Sequence, residues 1–158
     1  RKTGWIYTTS RDGRQITAVS KPELLSAGQG WGWLVDQIPY SIAVEPVSGN
    51  ILVSVATAQN PNHPNQVLVI KPDTKLDIQR ADQSCDSGDG GEIVPDEAGG
   101  YFIACTSGSE VWHVDQNGKV SEKIQTGKGP FGLDYSAKSH RLIVGSKISG
   151  MVEVFLVE

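Results

Sequence analysis

Apolar residues along the chain gather in short runs separated by polar, glycine-containing turns, and the runs recur in a fixed order. The strongest are ILVSVA at 51–56, YFIACT at 101–106 and RLIVGS at 141–146. Each is apolar enough to be a strand buried on both faces in a stack of sheets. Before each lies another apolar run ending in an acid, at Glu45, Asp96 and Asp134. After each, beyond a polar loop, comes a third run: QVLVI at 66–70, EVWHV at 110–114 and MVEVF at 151–155. Their Val, Ile, Trp and Phe favour extended backbone. Asp73-Thr74-Lys75 and Asn117-Gly118-Lys119 then read as hairpin turns into a fourth, outermost strand, with Asn-Gly supplying the positive φ of a tight turn. A four-strand unit repeating roughly every forty to fifty residues predicts the blades of an all-β propeller built from four-stranded antiparallel sheets.

The same grammar divides the chain into one propeller segment. Residues 1–38 read as a half-blade plus a long connection, 39–81 and 90–127 as blades, and 129–158 as an incomplete blade. Trp5–Thr9, the turn Asp12-Gly13-Arg14 and Gln15–Val19 match the second half of a blade, entered at a third strand. This gives about three blades, whereas closed propellers have roughly four to eight. Two arrangements satisfy that count: part of a six- or seven-bladed ring, or a ring completed by a second chain, which leaves no sheet edge open. A β-sandwich is the alternative architecture.

Composition narrows the functional classes. The chain has 158 residues, 38% of them hydrophobic, with 18 glycines and 8 prolines, as expected of a turn-dense all-β domain with a real core. A net charge of −4 with scattered basic residues argues against nucleic acid. No apolar run approaches a membrane span, and no cleavable signal pattern opens the chain. Cys85 and Cys105 fall at points that become neighbours within one blade, so they form either a disulfide or two buried thiols. The disulfide would place the protein in a secreted or periplasmic compartment.

Propeller geometry puts the loops between second and third strands on the same rim as the loops entering each inner strand. That rim gathers 58–66, 82–92, 106–110, 126–131 and 147–150 and is the face to search for function. Within DQSCDSGDGGE, Asp82, Asp86, Asp89 and Glu92 offer hard oxygen ligands that could converge on calcium. An acidic turn held by its own backbone hydrogen bonds is the competing reading. Glu92 sits at the mouth end of an inner strand, with Tyr40 and Phe131 at the matching places, which makes either an apolar recess with a polar handle or a plugged channel. Trp31 and Trp33 in GQGWGWL alternate along an extended segment, presenting an aromatic platform for a sugar or partner, or else covering the base of a sheet. His63, His113 and His140 are dispersed, with His113 read as structural, and no serine lies in a G-x-S-x-G elbow.

IAVEPVSGNILVSVA with QVLVIKPDTK, and EIVPDEAGGYFIACTSGSEVWHVDQNGKV, resemble repeats of the lactonase-like and gluconolactonase-like propellers across residues 39–158. The resemblance implies a propeller fold and, in that superfamily, calcium- or zinc-dependent lactone hydrolases with metal ligands at the top of the channel. Glu92 and Asp96 fall near such places. The expectation is a propeller module binding a small molecule, sugar or protein partner at its loop rim. The alternatives are a divalent-metal lactonase-like hydrolase and a structural or assembly module, including a homodimer.

Overall fold

The structure, a computed structural model, describes residues 6–19, 31–35, 38–56, 66–71, 79–80 and 90–157. Every regular element among them is a strand. The first sheet contains β1 (Ile6–Ser10), β2 (Gln15–Val19) and β3 (Trp31–Leu34). The second contains β4 (Ile38–Val44), β5 (Ile51–Ala56), β6 (Gln66–Ile70) and β7 (Gln79–Arg80). The third contains β8 (Gly90–Pro95), β9 (Tyr101–Cys105), β10 (Glu110–Val114) and β11 (Val120–Gln125). The fourth contains β12 (Pro130–Ser136), β13 (Arg141–Ser146) and β14 (Met151–Leu156). All neighbouring strands within each sheet are antiparallel, and the inner strands β4, β8 and β12 lie side by side. This is a partial β-propeller, as the sequence pattern predicts.

The core lies between successive sheets. β5 and β9 are apolar on both faces because each sheet is sandwiched. In β5, Val53 and Val55 pack with Ile16 of the first sheet, while Leu52 packs with Ile93, Tyr101 and Ile103 of the third. In β9, Phe102 and Ala104 pack with Leu133, Leu142 and Val144 of the fourth. Strand alternation thus assigns one face of every second strand to the sheet before it and the other to the sheet after it.

Two elements differ from the sequence-based expectation. The N-terminal sheet has three strands, because β3 occupies the end of the stretch expected to be a long connection. β1 packs on β4 as β5 packs on β8 and β9 on β12, which gives β1 the place of a second strand, not a third. In the fourth sheet the repeat slips. Ile42↔Val53, Ile93↔Ile103 and Leu133↔Val144 are matching pairs, so Asp134 falls in mid-strand opposite Ile143. Ser136, paired with Arg141, takes the place held by Glu45 and Asp96. The turn Asp73-Thr74-Lys75 lies outside the described residues, whereas Gly118 has φ +78 and donates its N–H to the Asp115 carbonyl, closing the predicted tight turn.

The acids that end the inner strands organise the hairpins. Glu45 is only 2% exposed, yet its carboxylate accepts from Val47 N at 2.7 Å, and from both the N–H and hydroxyl of Ser48 at 2.6 Å. Burial works against ionisation here, but the Ser48 and Val47 donors outweigh it and hold the carboxyl below its usual value. A lowered folded-state pKa stabilises the fold above the unfolded Glu value and loses that stabilisation as pH falls through the lower, folded value. Glu45→Gln should therefore cost about 1–3 kcal/mol at pH 7. The deficit should shrink in acid, where the wild-type carboxyl is also protonated, as read by urea unfolding at neutral and acid pH.

Candidate functional site at the bulged mouth of the inner strands

Each inner strand carries one extra residue near its start. Pairing jumps from Pro39↔Val55 to Ser41↔Ser54, from Gly90↔Cys105 to Ile93↔Ile103, and from Pro130↔Ser146 to Gly132↔Gly145. Such bulges bend a strand and re-aim a side chain, and they are enriched beside active sites. By these registers Tyr40, Gly91 and Phe131 are equivalent, and Glu92 stands one place further on, matching Ser41 and Gly132. Tyr40 and Phe131 thus share one level of three adjacent strands, where the middle strand carries Gly91 and Glu92 follows one residue further on.

Hydrogen bonds lock this level. Ser54 Oγ accepts from Ser41 N at 3.1 Å and donates to Gly91 O at 2.8 Å, and Ser41 Oγ accepts from Ile93 N at 3.3 Å. One strand further round, Glu92 Oε2 accepts from Leu133 N at 2.8 Å. Ile93 and Leu133 are equivalent, so Ser41 and Glu92 perform the same bracing of the next inner strand. Glu92 remains exposed and adds a carboxylate to the mouth.

Cations crown the two aromatics. The Arg11 guanidinium, from the turn after β1, lies 4.9 Å from the Tyr40 ring centroid, and Lys147 Nζ, from the turn after β13, lies 4.7 Å from that of Phe131. Phe131 is 39% exposed and Tyr40 half-buried. Neither cation was singled out from the sequence: Arg11 reaches this rim because β1 takes the place of a second strand, and Lys147, in a turn already expected on the rim, gave no signal that it would lie over Phe131. The resulting mouth has aromatic faces, two basic groups and one carboxylate, a set suited to an amphipathic ligand with a polar or charged substituent.

Other predicted residues fall elsewhere. Asp82, Cys85, Asp86, Asp89 and His63 lie outside the described residues, as do the side chains of Trp31 and Trp33 on β3. Among the described residues no three His, Cys, Asp or Glu side chains cluster to hold a metal ion. Cys105 is buried at the end of β9, and no free cysteine occurs among the described residues.

Asp96 faces the opposite rim. Its Oδ1 accepts from Ala98 N at 2.7 Å and Gly100 N at 2.8 Å, while Oδ2 lies 2.9 Å from His113 Nε2. A carboxylate can only accept, so Nε2 carries the proton. Nδ1 lies 3.1 Å from Ser121 Oγ, and Ser121 is the extra residue of a bulge between His113↔Glu122 and Val114↔Val120. Phe102 stacks on the imidazole at 4.4 Å and packs against Tyr135 at 4.9 Å. Burial, then the charges of Asp96 and Glu97, raise the Tyr135 pKa. His113 is thus a fully partnered structural histidine tying three strands and the neighbouring sheet together.

No family model matches the sequence, and no curated protein matches it. Solved structures do match in fold. Virginiamycin B lyase from Staphylococcus aureus aligns with TM-score 0.65 at 16% identity, covering 99% of this chain and 53% of that one. Its catalytically inactive variant with quinupristin gives 0.66 at 15%, with the same coverage. A functionally unknown protein from Desulfotomaculum acetoxidans gives 0.68 at 14%, covering 98% and 49%. The chain therefore spans about half the length of these proteins, and the likeness shows the propeller fold alone, with nothing that singles out the lactonase-like group.

Proposed function

We propose that this chain is a propeller module that binds a small amphipathic molecule at the mouth formed by Tyr40, Glu92 and Phe131. The observation that carries this reading is the triple bulge, with Tyr40 and Phe131 at equivalent places, Glu92 one residue further along the strand between them, and Arg11 and Lys147 over the two rings. Rigid aromatics with a few fixed polar groups are what a small-molecule site requires. A structural neighbour was crystallised with quinupristin, which makes that compound a first probe.

Titration of 15N-labelled protein with quinupristin, and separately with gluconolactone, tests the proposal. Expected are amide shifts centred on 40–41, 91–93 and 131–133, reduced at least tenfold in affinity by Phe131→Ala combined with Tyr40→Ala. Shifts centred on the opposite rim, or none with either probe, would count against this mouth. Calcium chloride serves as a third titrant for the metal-dependent hydrolase reading. That reading takes Glu92 as a ligand, with Asp82, Asp86 and Asp89 beside it, and requires calcium shifts that Glu92→Gln removes. We propose further a Cys85–Cys105 disulfide and hence a secreted or periplasmic setting. Intact mass with and without reductant before thiol alkylation reads the bridge directly.

A further inference from the structure

We propose that Ser121 is an activated nucleophile that attacks uncharged carboxylic esters on the rim opposite the mouth, with His113 as its base and Asp96 positioning that base. The three side chains form one hydrogen-bonded line. Asp96 Oδ1 is engaged by the Ala98 and Gly100 amides, so Oδ2 is left to accept from His113 Nε2 at 2.9 Å. With the ring proton on Nε2, Nδ1 offers a bare lone pair, and the Ser121 hydroxyl lies 3.1 Å from it. Carboxylate, imidazole and hydroxyl in this order turn a weak serine nucleophile into a reactive one, whatever fold carries them. The hydroxyl also stands 3.2 Å from the His113 carbonyl oxygen, and its single proton serves one acceptor at a time. Attack proceeds when that proton lies towards Nδ1.

Burial is graded along the line. The Asp96 side chain is 9% exposed and that of His113 19%, while Ser121 is open to solvent. The charged end is thus shielded and the reacting end accessible. The stacked Phe102 ring fixes the plane of the imidazole, and the bulge in β11 aims the serine. The third sheet lies between the second and the fourth, and Ile124 on the same strand as Ser121 shares a core with Leu142 and Val144 of the fourth sheet. Ser121 is therefore exposed with the neighbouring sheet in place. β11 is the outermost strand of its sheet, and N–H groups along such an edge are donors of the kind that stabilise an oxyanion. Exposed Glu97 and Glu122 on this rim disfavour anionic substrates, which leaves uncharged esters. In the reaction, Ser121 Oγ bonds to the acyl carbon as its proton passes to Nδ1. The bond from that carbon to the alcohol oxygen breaks, and Nδ1 returns the proton to the departing oxygen. Water then attacks the acyl-serine in the same way, giving its proton to Nδ1 and releasing the acid as Ser121 Oγ takes the proton back.

Reaction with 4-nitrophenyl acetate at neutral pH is the test. Expected is an acetyl group on Ser121, located by peptide mass, absent in Ser121→Ala and formed at least tenfold more slowly in His113→Gln. Asp96→Asn distinguishes positioning from support of the fold. The side-chain carbonyl of the variant stays with the Ala98 and Gly100 amides, so its NH2 faces Nε2 and drives the ring proton onto Nδ1. The 15N shifts of the His113 ring should report that exchange, with acetylation lost. Ser121→Cys leaves Asp96 and His113 untouched, so it reads activation even where His113→Gln loosens the fold. Its thiol should react with iodoacetamide at least tenfold faster than that of Ser149→Cys, at an exposed turn position. Acetylation confined to lysines, a Ser121 adduct indifferent to His113→Gln, or a thiol at 121 no faster than one at 149 would each overturn the proposal.

Discussion

Phe102→Ala should destabilise the fold by about 3–5 kcal/mol, the usual range for removing a large aromatic from a core. Phe102 is 1% exposed on β9 and fills the seam between the third and fourth sheets with Val111, Leu142 and Val144. It is also the surface on which the His113 ring rests, and it touches Tyr135 on the inner strand of the next sheet. Truncation therefore opens a cavity and frees an imidazole whose two nitrogens hold Asp96 and Ser121. Urea unfolding should show a much lower midpoint, and the Gly100 amide, held by the Asp96 carboxylate, should exchange faster with solvent. The control is Ile143→Ala. Ile143 holds the same place in the repeat but has no sheet over it, so its truncation should cost about 0.5 kcal/mol or less. A similar cost at both positions would contradict the packing order of the sheets.

That contrast also shows what the sequence could convey. The fold was legible because burial on both faces makes β5 and β9 nearly continuous apolar runs, a pattern that survives without knowing any contact. Register was less legible. In FGLDYSAKSHRLIVGS an acid ends one apolar stretch, as Glu45 and Asp96 do, yet the structure gives that place to Ser136. The turns differ in length, with 97–99 between Asp96 and Gly100 but 46–49 between Glu45 and Asn50, so counting residues across them does not preserve register. With a period of two, a slip of one residue reverses every side chain, which is why the exposed face of the fourth sheet could not be foreseen. That Tyr40, Glu92 and Phe131 stand near the starts of inner strands was legible from the repeat. Their bulges, and the cations above the rings, depend on pairing between strands far apart in sequence. The Asp96–His113–Ser121 network was hidden for the same reason, since its members lie 17 and 8 residues apart and Ser121 is aimed by a bulge.

Gly91→Ala is the substitution through which the mouth and the core are expected to fail together. A Cβ at this position would lie 2.6 Å from the Ala104 Cβ and closer still to the Ala104 carbonyl oxygen, both parts of the adjoining strand and unable to swing aside. Only glycine permits that approach, and overpacking of this kind costs about 1–3 kcal/mol or more. The strain has one direction of relief, which is to push the bulge of β8 away from β9. That movement would part Gly91 O from Ser54 Oγ and draw Glu92 from the Leu133 amide, loosening β8 from β5 on one side and from the inner strand β12 on the other. The expected result is a lowered urea midpoint together with a changed chemical shift and faster exchange at Leu133, with any ligand response at Phe131 reduced in parallel. Gly132→Ala provides the comparison on the next inner strand, since its Cβ would meet Glu92 Oε2 at 3.7 Å, an ordinary contact. If Gly132→Ala proved as damaging as Gly91→Ala, the mouth would be held by glycine flexibility in general. If only Gly91→Ala is damaging, the close seat of the β8 bulge against Ala104 fixes Glu92 in place, and the carboxylate of the site is positioned by the core behind it.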